Sequence, residues 1–316
     1  MAQGSNENSA VNKRPDLIYA CSNISISHFD ELLANMNALD REGKLSDHAV
    51  YRGYLEAVKY KMPEGFPGVR SVVIMAVFTR PMLVDFCFKD EKHEIMIPPQ
   101  YYYTGLTEED LRCTILNDII RNPSCRLERA KHIGLKLLAV RAGLGEYGRN
   151  NICYVDGMGS LLTLYAFFTD HRFGTDNWRE TRMMDICADC NICISECPTK
   201  SLSEKDFVID AGRCLTLYNE IEGDFPEWID PQAHNTLVGC MRCQRCCPAN
   251  QEALRRSGRL EEVTEEETKQ LLEGRYDEKL VSSLSGKLRM FSPEQGHEFF
   301  PILQRNLRVL LLKPVA

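Results

Sequence analysis

The chain of 316 residues has no apolar run long enough to span a bilayer, no secretory h-region and no twin-arginine leader. With fourteen cysteines and none of those signals, the expectation is a reducing cytoplasm and no membrane partner. Excess positive charge is missing as well, the formal net charge being -7. A broad nucleic-acid footprint needs a basic stripe to displace counterions, so this balance predicts no nucleic-acid partner and a small-molecule substrate. No serine or cysteine triad is suggested. What remains is 44% hydrophobic, enough to bury a large core in about two domains.

Against those absences stand two copies of one ligand pattern: Cys187-x2-Cys190-x2-Cys193-x3-Cys197-Pro198, then Cys240-x2-Cys243-x3-Cys247-Pro248, with Cys214 between them. In a C-x2-C-x2-C-x3-C-P run three thiolates grip one [4Fe-4S] cube and the fourth, turned away before proline, reaches the neighbouring cube. The expected ligands are Cys187, Cys190, Cys193 and Cys247 for one cluster, and Cys197, Cys214, Cys240 and Cys243 for the other. Zinc competes, but a four-cysteine zinc site uses two CxxC pairs without the proline-terminated ending. Cys246 offers a second register, Cys240, Cys243 and Cys246, which would leave Cys214 idle; the shared x3-Cys-Pro ending favours Cys247.

Residues 1 to 14 are polar and read as a disordered tail. Phe29 to Arg41 carries a helical apolar stripe, and Ser71 to Thr79 is an apolar, β-branched run that reads as a buried central strand. Pro81 to Pro99 reads as a solvated hairpin or loop. Glu108 to Arg121 and Leu127 to Arg141 read as helices, the second ending at a C′ glycine, Gly143. Asn151 to Val155 and Leu161 to Thr169 read as strands, and Thr264 to Gly274 and Pro293 to Leu312 as helices. The expected class is α+β: a domain over 15–180, a ferredoxin-like insertion over 181–255 and a short helical C-terminal cap over 256–316.

Gly143-Leu144-Gly145-Glu146-Tyr147-Gly148 spells GxGxxG. A dinucleotide fingerprint follows a strand and opens a helix, whereas this one follows a helical pattern and leads into strands. It is either a tight helix-to-strand connection or a loop stripped of side chains so that backbone can lie against a large flat ligand.

The stretch Leu138 to Asn150, two strands around a glycine turn and then the paired cysteine motifs together resemble the cobalamin-dependent reductases that include epoxyqueuosine reductase and the reductive dehalogenases. The resemblance covers roughly residues 65 to 255, and Arg305-Asn306-Leu307 is similar to the segment after the clusters in epoxyqueuosine reductases. It implies a nitroreductase-like domain binding base-off cobalamin. Electrons would pass from a ferredoxin- or flavodoxin-type donor through the two clusters to cobalt. By that resemblance Gly143, Gly145, Tyr147, Gly148, Arg149 and Asn150 would meet the cofactor. Two departures stand out. Arg129, near Lys131 and His132, occupies the place of the acidic proton donor, and the long helical-repeat tail that holds tRNA is missing.

A corrinoid reductase needs a proton donor and a cation for developing charge. Tyr101, Tyr102 and Tyr103, in a loop after Pro98-Pro99, and His132 are the candidates. Each also has a plain reading, as a packed aromatic cluster and a surface or capping histidine. The function expected is a cytoplasmic iron-sulfur oxidoreductase performing reductive cleavage or elimination; the alternative is a two-cluster electron carrier that reduces a partner's corrinoid.

Overall fold

The computed structural model describes residues 17–290 and 293–312; the proposed tail over 1–14 lies outside them. Strands β1 (Tyr19–Ser25), β2 (Ser71–Phe78), β8 (Leu162–Thr169) and β5 (Leu127–Arg129) form one antiparallel sheet in the order β1-β2-β8-β5. The apolar run of β2 is buried on both faces, as a central strand's must be. Val72, Ile74 and Ala76 face helices Phe29–Arg41 and Leu135–Arg141, while Val73, Met75 and Val77 face Leu111, Ile115 and Phe167.

A second sheet joins β3 (Met82–Phe88), β4 (Glu91–Ile97) and the short β9 (Gly258–Arg259), in the order β4-β3-β9. Far from being a solvated hairpin, it buries Met82, Val84, Phe86, Ile95 and Ile97 against the C-terminal helices Glu265–Glu273, Glu278–Leu288 and Pro293–Leu312. The first of these helices opens on a capping box, Thr264 with Glu267, and stops at Gly274 with φ 73°. The C-terminal segment is therefore one layer of a body whose other layer comes from the middle of the 15–180 unit. Short strands β6 (Glu146–Tyr147) and β7 (Cys153–Tyr154) pair as a ribbon.

Two expected helices come out differently. Glu108–Thr114 continues as a wider π-helical turn over Ile115–Ile120, ending at Arg121 in the left-handed region. Leu127 to Arg141 is not one helix. Leu127–Arg129 pairs with Thr169 to Phe167 as edge strand β5, the chain then turns with His132 at φ 59°, and the helix begins only at Leu135. Among the described residues no helix is long and apolar enough to cross a membrane.

Candidate metal centres and the ribbon between them

The cysteine motifs fold as loops around two short helices, Ile192–Ser195 and Arg242–Arg245, and Pro248 opens a 3-10 turn directly after Cys247. Leu237, Val238 and Met241 tie the region into the neighbouring apolar clusters. Its own buried apolar cluster has only Leu215, Ile229 and Ala233.

The thiols divide between two cavities. Cys187, Cys190, Cys193 and Cys247 line one, narrow at about 20 Å3. Cys197, Cys214, Cys240 and Cys243 line the other, of about 210 Å3. This is the crossed division, with Cys197 and Cys247 each standing in the set built mainly by the other motif. Cys246 lines neither cavity and turns its thiol to the Cys243 carbonyl at 3.6 Å.

Burial, then the neighbouring thiols Cys240, Cys214 and Cys197, push the Cys243 thiol well up. Burial does the same at Cys193, raising it to about 11 with Cys246, Cys187 and Cys247 adding to the effect. Cys197 goes the other way: against burial, hydrogen bonds from Ser201 and Thr199 hold it below its ordinary value. Asn235 donates to the Cys240 sulfur at 3.2 Å. The raised thiols of Cys193 and Cys243 would ionise more readily beside a compensating cation, which bound iron would supply. Among the described residues no three metal-ligating side chains close around a single ion; the eight thiols are spread around two spaces instead.

Arg149 donates through Nε to the Cys187 carbonyl at 3.2 Å and through Nη2 to the carbonyls of Cys187 and Ala188. Asn150, 3% exposed, lines both cavities; its Nδ2 donates to the Tyr154 hydroxyl at 2.9 Å and to the Cys243 carbonyl at 3.4 Å. Tyr154 is buried beside Cys247 and Cys243. Arg149 and Asn150, two of the six residues expected to meet a corrinoid, thus stitch the ribbon to the two cysteine loops.

The space beside the glycines is likewise taken by the chain itself. A Cβ on Gly145 would lie 2.4 Å from the Tyr154 carbonyl oxygen and 2.8 Å from the Cys153 sulfur, and one on Gly148 would lie 2.5 Å from the Tyr154 ring. Gly143 caps its helix at φ 66° and faces Arg179. Tyr147 is core, with its ring 5.0 Å from that of Phe207. Bare backbone here lets β6 approach β7, so the glycine loop does not fit as a corrinoid cradle. A polar opening lies elsewhere. Gln100, Lys136, Asn151 and Ile152 share the larger cavity with its four thiols, and Lys136 Nζ donates to Asn151 O at 3.0 Å and Oδ1 at 3.2 Å. Lys136 escaped sequence reasoning because the helix that carries it was drawn too long; Asn151 was visible as the second residue of an Asn-Asn pair.

The proton-donor candidates scatter. Tyr101 donates its hydroxyl to Glu220, and its ring fills the space beside Gly239, directly before Cys240. Burial pushes Glu220 up to about 7. Tyr102 lies under the Arg289 guanidinium, and Tyr103 is 58% exposed. His132 is an exposed turn residue whose carbonyl accepts from Lys59 at 2.8 Å. Arg129 packs its guanidinium over Tyr165, 4.5 Å from the ring centroid, and burial lowers its pKa.

Residues 186–250 match the family described as a 4Fe-4S double cluster binding domain. The epoxyqueuosine reductase of Gloeobacter violaceus is 35% identical over 150 residues, covering 46% of this chain and 45% of that protein. Among solved structures, epoxyqueuosine reductase from Streptococcus thermophilus superposes with TM-score 0.66 at 20% identity, covering 92% of this chain and 76% of the other. The resemblance seen in the sequence is borne out, as is an α+β fold with a double-cluster domain. The chain spans less than half the length of the curated relatives it matches. One partner expectation is overturned. An epoxyqueuosine reductase of this fold, at TM-score 0.59, 20% identity and the same coverage, has been solved with a tRNA stem loop. Net charge was the wrong basis for expecting a small molecule and no nucleic acid, because phosphates feel charges only within about 8 Å at physiological salt.

Proposed function

We propose that the protein is a cytoplasmic iron-sulfur reductase that uses a corrinoid to reduce a modified nucleoside carried on a tRNA stem loop. The observation that carries this reading is the crossed division of eight thiols between two cavities, the larger of which also opens onto Gln100, Lys136 and Asn151. Cys187, Cys190, Cys193 and Cys247 would hold one cluster, and Cys197, Cys214, Cys240 and Cys243 the other. Exposed Ile186 and Ile192 flank the first cavity, which makes it the entry for electrons from a donor protein. The second cavity is the exit.

The corrinoid, when bound, supplies a strongly reducing, nucleophilic metal centre. Gln100, Lys136 and Asn151 offer amide and ammonium groups to its polar rim. Arg149 and Asn150 keep the cysteine loops in register, so the distance between clusters stays fixed. Tyr101 and Glu220 form a proton store. A buried carboxyl with a pKa near 7 holds its proton to neutrality, and Tyr101 relays from it beside Cys240.

Arg129, in place of an acid, supports a second reading: a two-cluster carrier that reduces a partner's corrinoid. Anaerobic titration with cobalamin, followed by absorbance, separates the two. A saturating spectral change on protein holding ~8 irons per chain is expected for the reductase. Full clusters with no change on titration overturn the corrinoid assignment and leave the carrier.

A further inference from the structure

The segment 58–62, Val-Lys-Tyr-Lys-Met, packs on the segment 130–136, Ala-Lys-His-Ile-Gly-Leu-Lys. Backbone N-H groups of Lys59 and Tyr60 donate to the His132 carbonyl at 2.8 and 3.3 Å, and the Tyr60 side chain is buried against Gly134. The pairing sets the segment that carries Lys59 and Lys61 beside the one that carries Lys131, His132 and Lys136. The two segments contain no carboxylate.

All four lysines are exposed, and among the described residues none has a carboxylate within ion-pair distance. Of the other described lysines, Lys44, Lys92, Lys269 and Lys287 each meet a glutamate, whereas Lys89, Lys200, Lys205 and Lys279 stand scattered along the chain without one. In a chain of net charge -7, the paired segments are a local concentration of unneutralised positive charge. It is also continuous with the candidate site. Lys136 lines the cavity holding Cys197, Cys214, Cys240 and Cys243. Lys131 and His132 are exposed in the left-handed turn that follows edge strand β5.

We infer that Lys59, Lys61 and Lys131 form a docking surface for the phosphate backbone of an RNA stem loop, delivering its nucleoside to the opening beside Lys136. The inference rests on the tRNA reading above and names the surface that reading requires. Three exposed ammonium groups neutralise phosphates without reading sequence, so affinity should fall steeply with salt.

The test uses the full-length, iron-loaded protein, a tRNA stem-loop transcript, and anaerobic binding isotherms from about 50 to 200 mM salt. The triple variant Lys59→Glu, Lys61→Glu, Lys131→Glu should bind at least tenfold more weakly. Its log-log salt slope should be shallower by about 2 to 3, at ~0.7 to 0.9 per lost phosphate contact. The neutral triple to Gln should show the same slope change with a smaller loss of affinity. Lys89→Glu, on the β3–β4 turn, should bind as wild type. An unchanged cluster absorption spectrum reports that each variant is folded. If wild type binds and both triple variants bind equally well with the same salt slope, the docking surface is wrong while the tRNA reading stands. If wild type shows no salt-dependent binding to the stem loop, the tRNA reading falls and the inference with it.

Discussion

Glu220→Gln tests the proton store at Tyr101 through stability alone, without knowledge of the substrate. Burial raises the Glu220 pKa from 4.5 to about 7. A carboxyl whose folded pKa lies above its unfolded value contributes stability that is fully present below pH 4.5 and is lost as pH rises through 7. The difference of about 2.5 units corresponds to about 3 kcal/mol, an upper figure because part of the side chain meets solvent. Glutamine keeps an oxygen for the Tyr101 hydroxyl but carries no charge at any pH, so it should match wild type near pH 5 and exceed it by about 1 to 3 kcal/mol at pH 8. Tyr101→Phe sharpens the test. Removing a donor to the carboxylate disfavours the charged form further, so the pH at which stability declines should move up. Anaerobic denaturant unfolding of the three proteins between pH 5 and 8, compared as differences so that other groups cancel, gives the result. A wild type that is no less stable relative to Glu220→Gln at pH 8 than at pH 5 would refute the reasoning.

Cys247→Ser should cost about half the iron and remove the cluster held by Cys187, Cys190 and Cys193, whereas Cys246→Ser should leave ~8 irons per chain; the reverse outcome, read by anaerobic iron analysis, would restore the other register. Gly145→Ala should destabilise by about 1 to 3 kcal/mol, since its Cβ meets the Tyr154 carbonyl at 2.4 Å. Denaturation shows that loss directly, and an unaffected midpoint would return the glycine loop to the list of open ligand surfaces.

Where one interaction dominated a segment, the sequence was readable. Ser71 to Phe78 is buried on both faces and says so by having no polar side in its interior. Thr264 and Glu267 announce a capping box, and the helix starts there. Where two periods overlap, reading failed. Leu127, Ile133, Leu135, Leu138 and Val140 continue a helical rhythm, yet Leu127 to Arg129 finds better partners in the exposed edge of β8 than in its own chain. The β3–β4 hairpin was misjudged as solvated because of the charged Lys89 and Asp90. Those residues occupy left-handed positions at a two-residue turn, while Met82, Val84 and Phe86 keep the period of two that marks a buried face.

The same distinction explains the candidate site. Cysteine spacing is chemistry written directly in sequence, and its crossed register could be counted without knowing any contact. Arg149 and Asn150 were singled out to meet a cofactor, and in the structure their side chains bond the backbone of the cysteine loops. The loops around the clusters have little regular secondary structure, so their carbonyls lack the ladder partners that strands and long helices provide. Arg149 supplies donors to Cys187 and Ala188, and Asn150 to Cys243. Between them the two neighbouring side chains bond backbone in both loops, which holds the two sets of thiols relative to each other. That is a requirement of electron transfer between two clusters, and no spacing rule along the chain expresses it. Spacing therefore names candidate ligands, while the residues that tie the two loops together become visible only when Arg149 and Asn150 are seen to reach carbonyls far along the chain.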